Sequence, residues 1–171
     1  MEEKVTSHII KGVVLSVISI VFSTIVYVFN LYEMQSLSLI NYAILFCGLI
    51  YGCILYSNEN KNQVTFGNVF ANGFKTTAVI IVITSLYTVL SVKFLFPEII
   101  DISLRISRKG MESNPNIPKD SIELNLNIVR KYFIPLTLGI SMAGLAILGL
   151  IGSLIGAAVA KKNTNPFENH A

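Results

Sequence analysis

The sequence predicts an all-α integral membrane protein: a four-helix bundle with an amphipathic helical hairpin-like connection between its third and fourth spans. Three observations predict it. Hydrophobic residues make up 53% of the 171 positions and charged residues only 13%, against the about 25% with which a soluble domain covers its surface. The apolar residues gather into four runs, each close to the about 20 helical residues that a bilayer core of roughly 30 Å requires. The runs are continuous and do not alternate with polar positions, which selects helices over barrel strands.

The first span reads from Gly12 to Tyr32 and the second from Leu37 to Tyr56. The third reads from Thr76 to Phe96, with an interfacial lead-in from about Val69, and the fourth from Tyr132 to Ala160. The fourth is long enough to tilt. Lys4 and Lys11 ahead of the first span resemble the start of a signal peptide, but the apolar run is too long and no small-x-small site follows Asn30 to Glu33. All of 1–171 is expected to form one membrane domain, with 97–131 as its extramembrane connection.

An even number of spans puts both termini on one side. Lys4, Lys11, Lys61, Lys75, Lys161 and Lys162 flank one set of helix ends, while the short first connection holds Glu33 and no basic residue. Positive charge accumulates on cytoplasmic short loops, so both termini are expected in the cytoplasm. The third connection opposes this with Lys93, Arg105, Arg108, Lys109, Lys119, Arg130 and Lys131, but it is long and carries five acidic residues from Glu98 to Glu123.

Small residues recur at helical spacing in two spans. Gly48 and Gly52 form a pair, Gly152, Gly156 and Ala160 a seam, and Gly149, Ser153 and Ala157 a second seam beside it. Lipid gives helices no hydrophobic drive to associate, so close backbone approach along small residues has to supply the packing. Gly48, Gly52, Gly149, Gly152, Ser153 and Gly156 are therefore the expected helix-packing residues. The first and third spans carry hydroxyl stripes instead. Ser16, Ser23, Thr77, Thr84 and Thr88 are either glue between helices, bonding their own backbone or a neighbour, or the lining of a polar path.

No Asp, Glu or His lies in the middle of a span, and an intramembrane ionisable group is the usual mark of a proton relay or ion path. Lys75 and Lys93, near the ends of the third span, can snorkel to the two interfaces. Cys47 and Cys53 lie six positions apart in one run, on different helical faces, and His8 and His170 lie near the termini, so no metal site is expected. Nucleophile–base pairs, phosphate-cradling loops and ligand clusters are missing from the sequence. A net charge of +3, small and scattered, gives no footprint for nucleic acid. No catalytic residue and no cofactor are expected.

Before the third span lies Thr65-Phe66-Gly67-Asn68-Val69-Phe70-Ala71-Asn72-Gly73-Phe74-Lys75. This segment resembles the approach to the third span in a bacterial family known as domain of unknown function 4199. Pro135 opening the fourth span, the polar amphipathic stretch before it and the lysines Lys161 and Lys162 extend the resemblance over nearly the whole chain. It implies a four-helix architecture and a bacterial inner (cytoplasmic) membrane, and transfers no activity or functional residue. On physical grounds, Phe66, Phe70 and Phe74 recur every four residues and line one face. With Lys75 they suit the membrane interface, where aromatic rings anchor helices.

Together these observations suggest a non-enzymatic membrane protein, an accessory or scaffold component that packs with itself or with a membrane-protein partner in the lipid bilayer. The alternative is a small oligomeric transporter or channel lined by the Ser/Thr stripes. In the third connection, Ile99, Ile102 and Ile106 share one helical face, and Ile122, Leu126, Val129 and Phe133 share another. Between them the Pro-Asn cluster from Asn114 to Pro118 breaks the helix. Asp120 or Ser121 is placed to cap the second of these helices.

Overall fold

A computed structural model describes residues 5–32, 34–115 and 117–161. Lys4, Glu33, Asn116, Lys162 and His170 lie outside the described residues. The described chain forms six α-helices and a π-helical turn, with no strand: α1 (His8–Val28), α2 (Gln35–Glu59), α3 (Phe66–Leu90), the π turn (Ser91–Leu95), α4 (Ile99–Glu112), α5 (Lys119–Lys131) and α6 (Phe133–Val159). Four of these segments are long and apolar enough to cross a membrane: His8–Val28, Ser36–Glu59, Phe66–Leu95 and Phe133–Val159.

Local chemistry fixes the ends of the helices. α1 starts a turn before Gly12 because Ser7 takes the cap position, its Oγ accepting from Ile9 N at 3.2 Å, which relieves one orphan amide of the first turn. It stops at Val28, before Tyr32, because Asn30 turns left-handed at φ 56°. Leu31 N then donates to Val26 O and Asn30 N to Tyr27 O, both at 2.9 Å, a Schellman closure. α2 closes in the same way, with Lys61 at φ 54°, Asn62 N donating to Ser57 O at 2.8 Å and Lys61 N to Asn58 O at 2.9 Å.

α3 begins at Phe66, capped by Thr65 Oγ1, which accepts from Asn68 N at 3.2 Å. The expected lead-in is thus the first turns of the same helix. Its last turn widens, Phe96 N donating to Ser91 O at 2.7 Å, and helical structure then stops before Pro97, which disfavours helical backbone at the residue ahead of it. α6 accommodates Pro135 in its first turn, where a missing N–H costs no helical hydrogen bond.

Two compact units are distinguished, Met1–Ile83 with Gly144–Ala171 and, separately, Thr84–Ala143. In the first, Cys53, Val69, Ala157 and Ala160 form one buried cluster, with Tyr56 and Phe70 against it. Leu45, Ile80 and Leu145 form another, with Leu15, Ile81 and Leu148 against it. The outward side of α1 carries Val13, Val14, Val17, Ile18, Val21 and Ile25, all exposed. A continuous aliphatic surface of that kind belongs in lipid, since soluble monomers rarely expose large apolar patches.

In the second unit α4 and α5 pack on each other through Leu104, Ile122 and Leu126, flanked by Ile100, Met111, Ile117 and Val129. α4 packs through Ile100, Leu104 and Met111, while Ile106, on the apolar face read from the sequence, is exposed. One expectation is corrected here. The cap position of α5 is held by Pro118 with no side-chain cap, and Ser121 Oγ instead donates back to Pro118 O at 2.7 Å.

Candidate functional site

The glycines expected to pack helices lie against neighbouring side chains within the first unit. A Cβ added at Gly156 would stand 2.7 Å from Cys53 Cβ and 3.3 Å from Ile50 Cα; one at Gly152 would stand 3.0 Å from Leu49. Gly149 faces Thr77, Gly48 faces Leu15, and Gly52 has room to spare, 3.7 Å from the stem of Lys11. Ser153 is fully buried beside Gly73, where an added Cβ would meet Ser153 Oγ at 2.8 Å and Cys53 Sγ at 2.6 Å. Gly12 and Gly73, not in the expected set, are as tightly enclosed, Gly12 with 2.6 Å to Val79 Cβ. Cys53 is buried and Cys47 exposed, both as free thiols.

The hydroxyl stripes are turned largely to their own backbone. Ser16 Oγ donates to Gly12 O at 2.7 Å, Thr77 Oγ1 to Gly73 O at 3.1 Å, and Thr88 Oγ1 to Thr84 O at 2.8 Å. Ser23 instead accepts from Asn41 Nδ2 at 3.3 Å. Ser16 and Thr77 are buried, while Ser23, Thr84 and Thr88 are half-buried.

Phe66, Phe70 and Phe74 stack in sequence along α3, with ring centroids 6.4 and 6.0 Å apart and planes within 2° and 15° of parallel. Such offset spacing is favourable for π systems. Phe66, Phe74 and Lys75 are exposed, and Phe70 packs on the core.

The most concentrated chemistry lies elsewhere, where α1 begins and α2 ends. Lys11 is 7% exposed. Its Nζ donates to Gly52 O at 3.2 Å, stands 3.6 Å from Glu59 Oε2, and lies 5.2 Å from the centre of the Tyr56 ring. The Glu59 carboxylate also accepts from Thr6, from N to Oε2 at 3.0 Å and from Oγ1 to Oε1. Carbonyl, carboxylate and ring face thus share one ammonium, which offsets the cost of removing it from water.

Sequence reasoning counted Lys11 as a flanking charge and left Glu59 unused. The available signal was the place of Lys11 beside Gly12, Ser16 and Ser19, the face of α1 that is buried. Among the described residues, no three His, Cys, Asp or Glu side chains come together as a ligand set.

Four long apolar helices with aliphatic outer surfaces define a multi-pass membrane protein. Within that class, the chain belongs to the family described as protein of unknown function (DUF4199), whose model matches residues 11–162. Comparison with curated proteins and with solved structures finds no match.

Proposed function

We propose that the chain is a non-enzymatic scaffold component of a bacterial cytoplasmic membrane. In this reading the four long helices form a bundle in the lipid bilayer, both termini face the cytoplasm, and α4 and α5 form a hairpin-like recognition element on the opposite side. The aromatic ladder from Phe66 to Phe74, with Lys75, anchors α3 at the cytoplasmic interface.

One observation carries the proposal: small residues are engaged within the chain, while α4 and α5 keep apolar side chains with no place in their shared core. Gly149, Gly152 and Gly156 meet Thr77, Leu49 and Cys53, so they supply the internal packing and not the partner surface. Ile106, Leu124 and Ile128 are exposed, on helices whose other faces carry Arg108, Glu123, Asp101 and Arg130 in ion pairs. The hydroxyls bonded to their own carbonyls favour this reading over a channel lining, because a wet path needs those groups turned to water.

Purification in mild detergent with native mass determination tests the proposal. A scaffold is expected to run as a stoichiometric assembly, with itself or a partner, that Leu124→Glu together with Ile128→Glu dissociates at unchanged helical content. A monomer at every concentration, with nothing bound in stoichiometric amount, would overturn it.

A further inference from the structure

The packing of α5 on α4 uses one face of α5 and leaves the opposite face bare. Ile122 and Leu126 are buried in the shared core, and Glu123 and Arg130 pair with Arg108 and Asp101 of α4. The outward face carries Asp120, Leu124, Ile128 and Lys131, all exposed. Steps of four, four and three residues keep them on a single helical stripe. Among the described residues, Asp120 and Lys131 take part in no ion pair. The Lys131 ammonium rests over the Tyr132 ring, 5.3 Å from its centre. The stripe thus runs from an acid through two aliphatic side chains to a base. Its end charges suit the helix dipole, but the dipole does not require them to share the apolar stripe.

We infer that this face binds a second copy of the chain, α5 packing antiparallel on α5 about a two-fold axis. The inference rests on the scaffold reading and names its partner. The charge order is complementary to itself in that direction alone. An axis centred between Leu124 and Ile128 sets Leu124 opposite Ile128 of the other copy. It also brings Asp120 within one residue of the level of Lys131 at both ends, so the same patch serves both copies, as a two-fold contact requires. A parallel pair would set Asp120 level with Asp120 and Lys131 level with Lys131, and like charges oppose association. Copies inserted in the same sense share an axis along the membrane normal, about which antiparallel helices lie along the membrane surface. Amphipathic helices adopt that position, and α5 breaks from α6 at Tyr132, where ψ is 25°, so its axis need not follow the span.

Charge reversal tests the pairing in the full chain. Copies labelled at the amino terminus with donor or acceptor dye would be reconstituted in phosphatidylcholine liposomes at low salt. Energy transfer would be followed as the protein-to-lipid ratio rises. The unmodified chain is expected to associate saturably. Asp120→Lys and Lys131→Asp, each turning two attractions into two repulsions, are expected to weaken self-association about tenfold. Mixing the two variants is expected to restore it, because each then meets the opposite charge at both ends. A purely structural effect on either chain cannot produce that rescue. Saturable transfer that ignores both reversals, or mixtures no better than either variant alone, would overturn the pairing and leave a scaffold assembled through another face. No transfer in the unmodified chain would also overturn it, assigning the stripe to lipid or to a different protein. The scaffold reading would then be decided separately, by whether a different protein accompanies the chain in fixed proportion.

Discussion

At the scale of single residues, the Lys11–Glu59 pair and the enclosed glycines make different demands. Removing one partner of a largely buried ion pair strands the other, at a cost of about 3–5 kcal/mol, whereas replacing both by neutral groups of similar size costs far less. Lys11→Met and Glu59→Gln are each expected to lower the unfolding free energy in detergent by about 3 kcal/mol. The double variant is expected to lose less than their sum; strict additivity would show that the pair is not coupled. The glycines are tested by contrast. Gly156→Ala must displace Cys53 and the α2 backbone at Ile50, at about 1–3 kcal/mol for overpacking. Gly144→Ala meets nothing within 4 Å and is expected to leave the thermal midpoint unchanged. Equal tolerance would remove close approach as the reason for Gly156. Spacing alone pointed to Gly156 but not to Gly12 or Gly73, because a lone glycine inside a hydroxyl stripe looks the same whether or not a neighbour covers it.

At the scale of elements, α4 and α5 show what periodicity resolves and what it does not. The existence of two short helices, their polar faces and the break near Pro115 follow from sequence, because propensity and apolar spacing act locally. The packed face of α4 does not. Ile99, Ile102 and Ile106 form one apolar arc and Ile100, Leu104 and Met111 another, and only contact with Ile122 and Leu126 chooses between them. The α4–α5 contact is also joined by Arg108 and Glu123 at 2.6 Å. The hydrogen bond and charge of Arg108 hold the Glu123 carboxyl below its usual range, and Glu123 holds the Arg108 guanidinium above its own. A depressed carboxylate value means that the pair contributes above the unfolded-state pKa and loses its contribution as pH falls through the folded one. The pair is exposed, so the contribution is small. A carboxyl-carbon NMR titration is expected to place the Glu123 midpoint below that of an ordinary glutamate, and Arg108→Gln to return it there. A midpoint indifferent to Arg108→Gln would remove the pair from the account.

At the scale of the whole molecule, the membrane itself made the spans legible. A backbone without water must satisfy its own hydrogen bonds, so a long apolar run has little choice but helix. Which helices touch was not legible, since α2, α3 and α6 all offer small residues and lipid does not rank them. Nor was the clasp between Lys11 and Glu59, because each residue alone reads as an ordinary charge near a helix end. Four crossings, one by each of the long apolar helices, would put the α2–α3 connection and the α3–α6 connection on opposite sides of the membrane. In a chain carrying Cys47→Ser and Cys53→Ala, single cysteines introduced as Asn62→Cys and Ser113→Cys report the two sides to an impermeant thiol reagent. Ser113→Cys is expected to react in intact cells and Asn62→Cys only after the membrane is opened. The reverse pattern would invert the orientation, and reaction of both from the same side would contradict the four-span architecture.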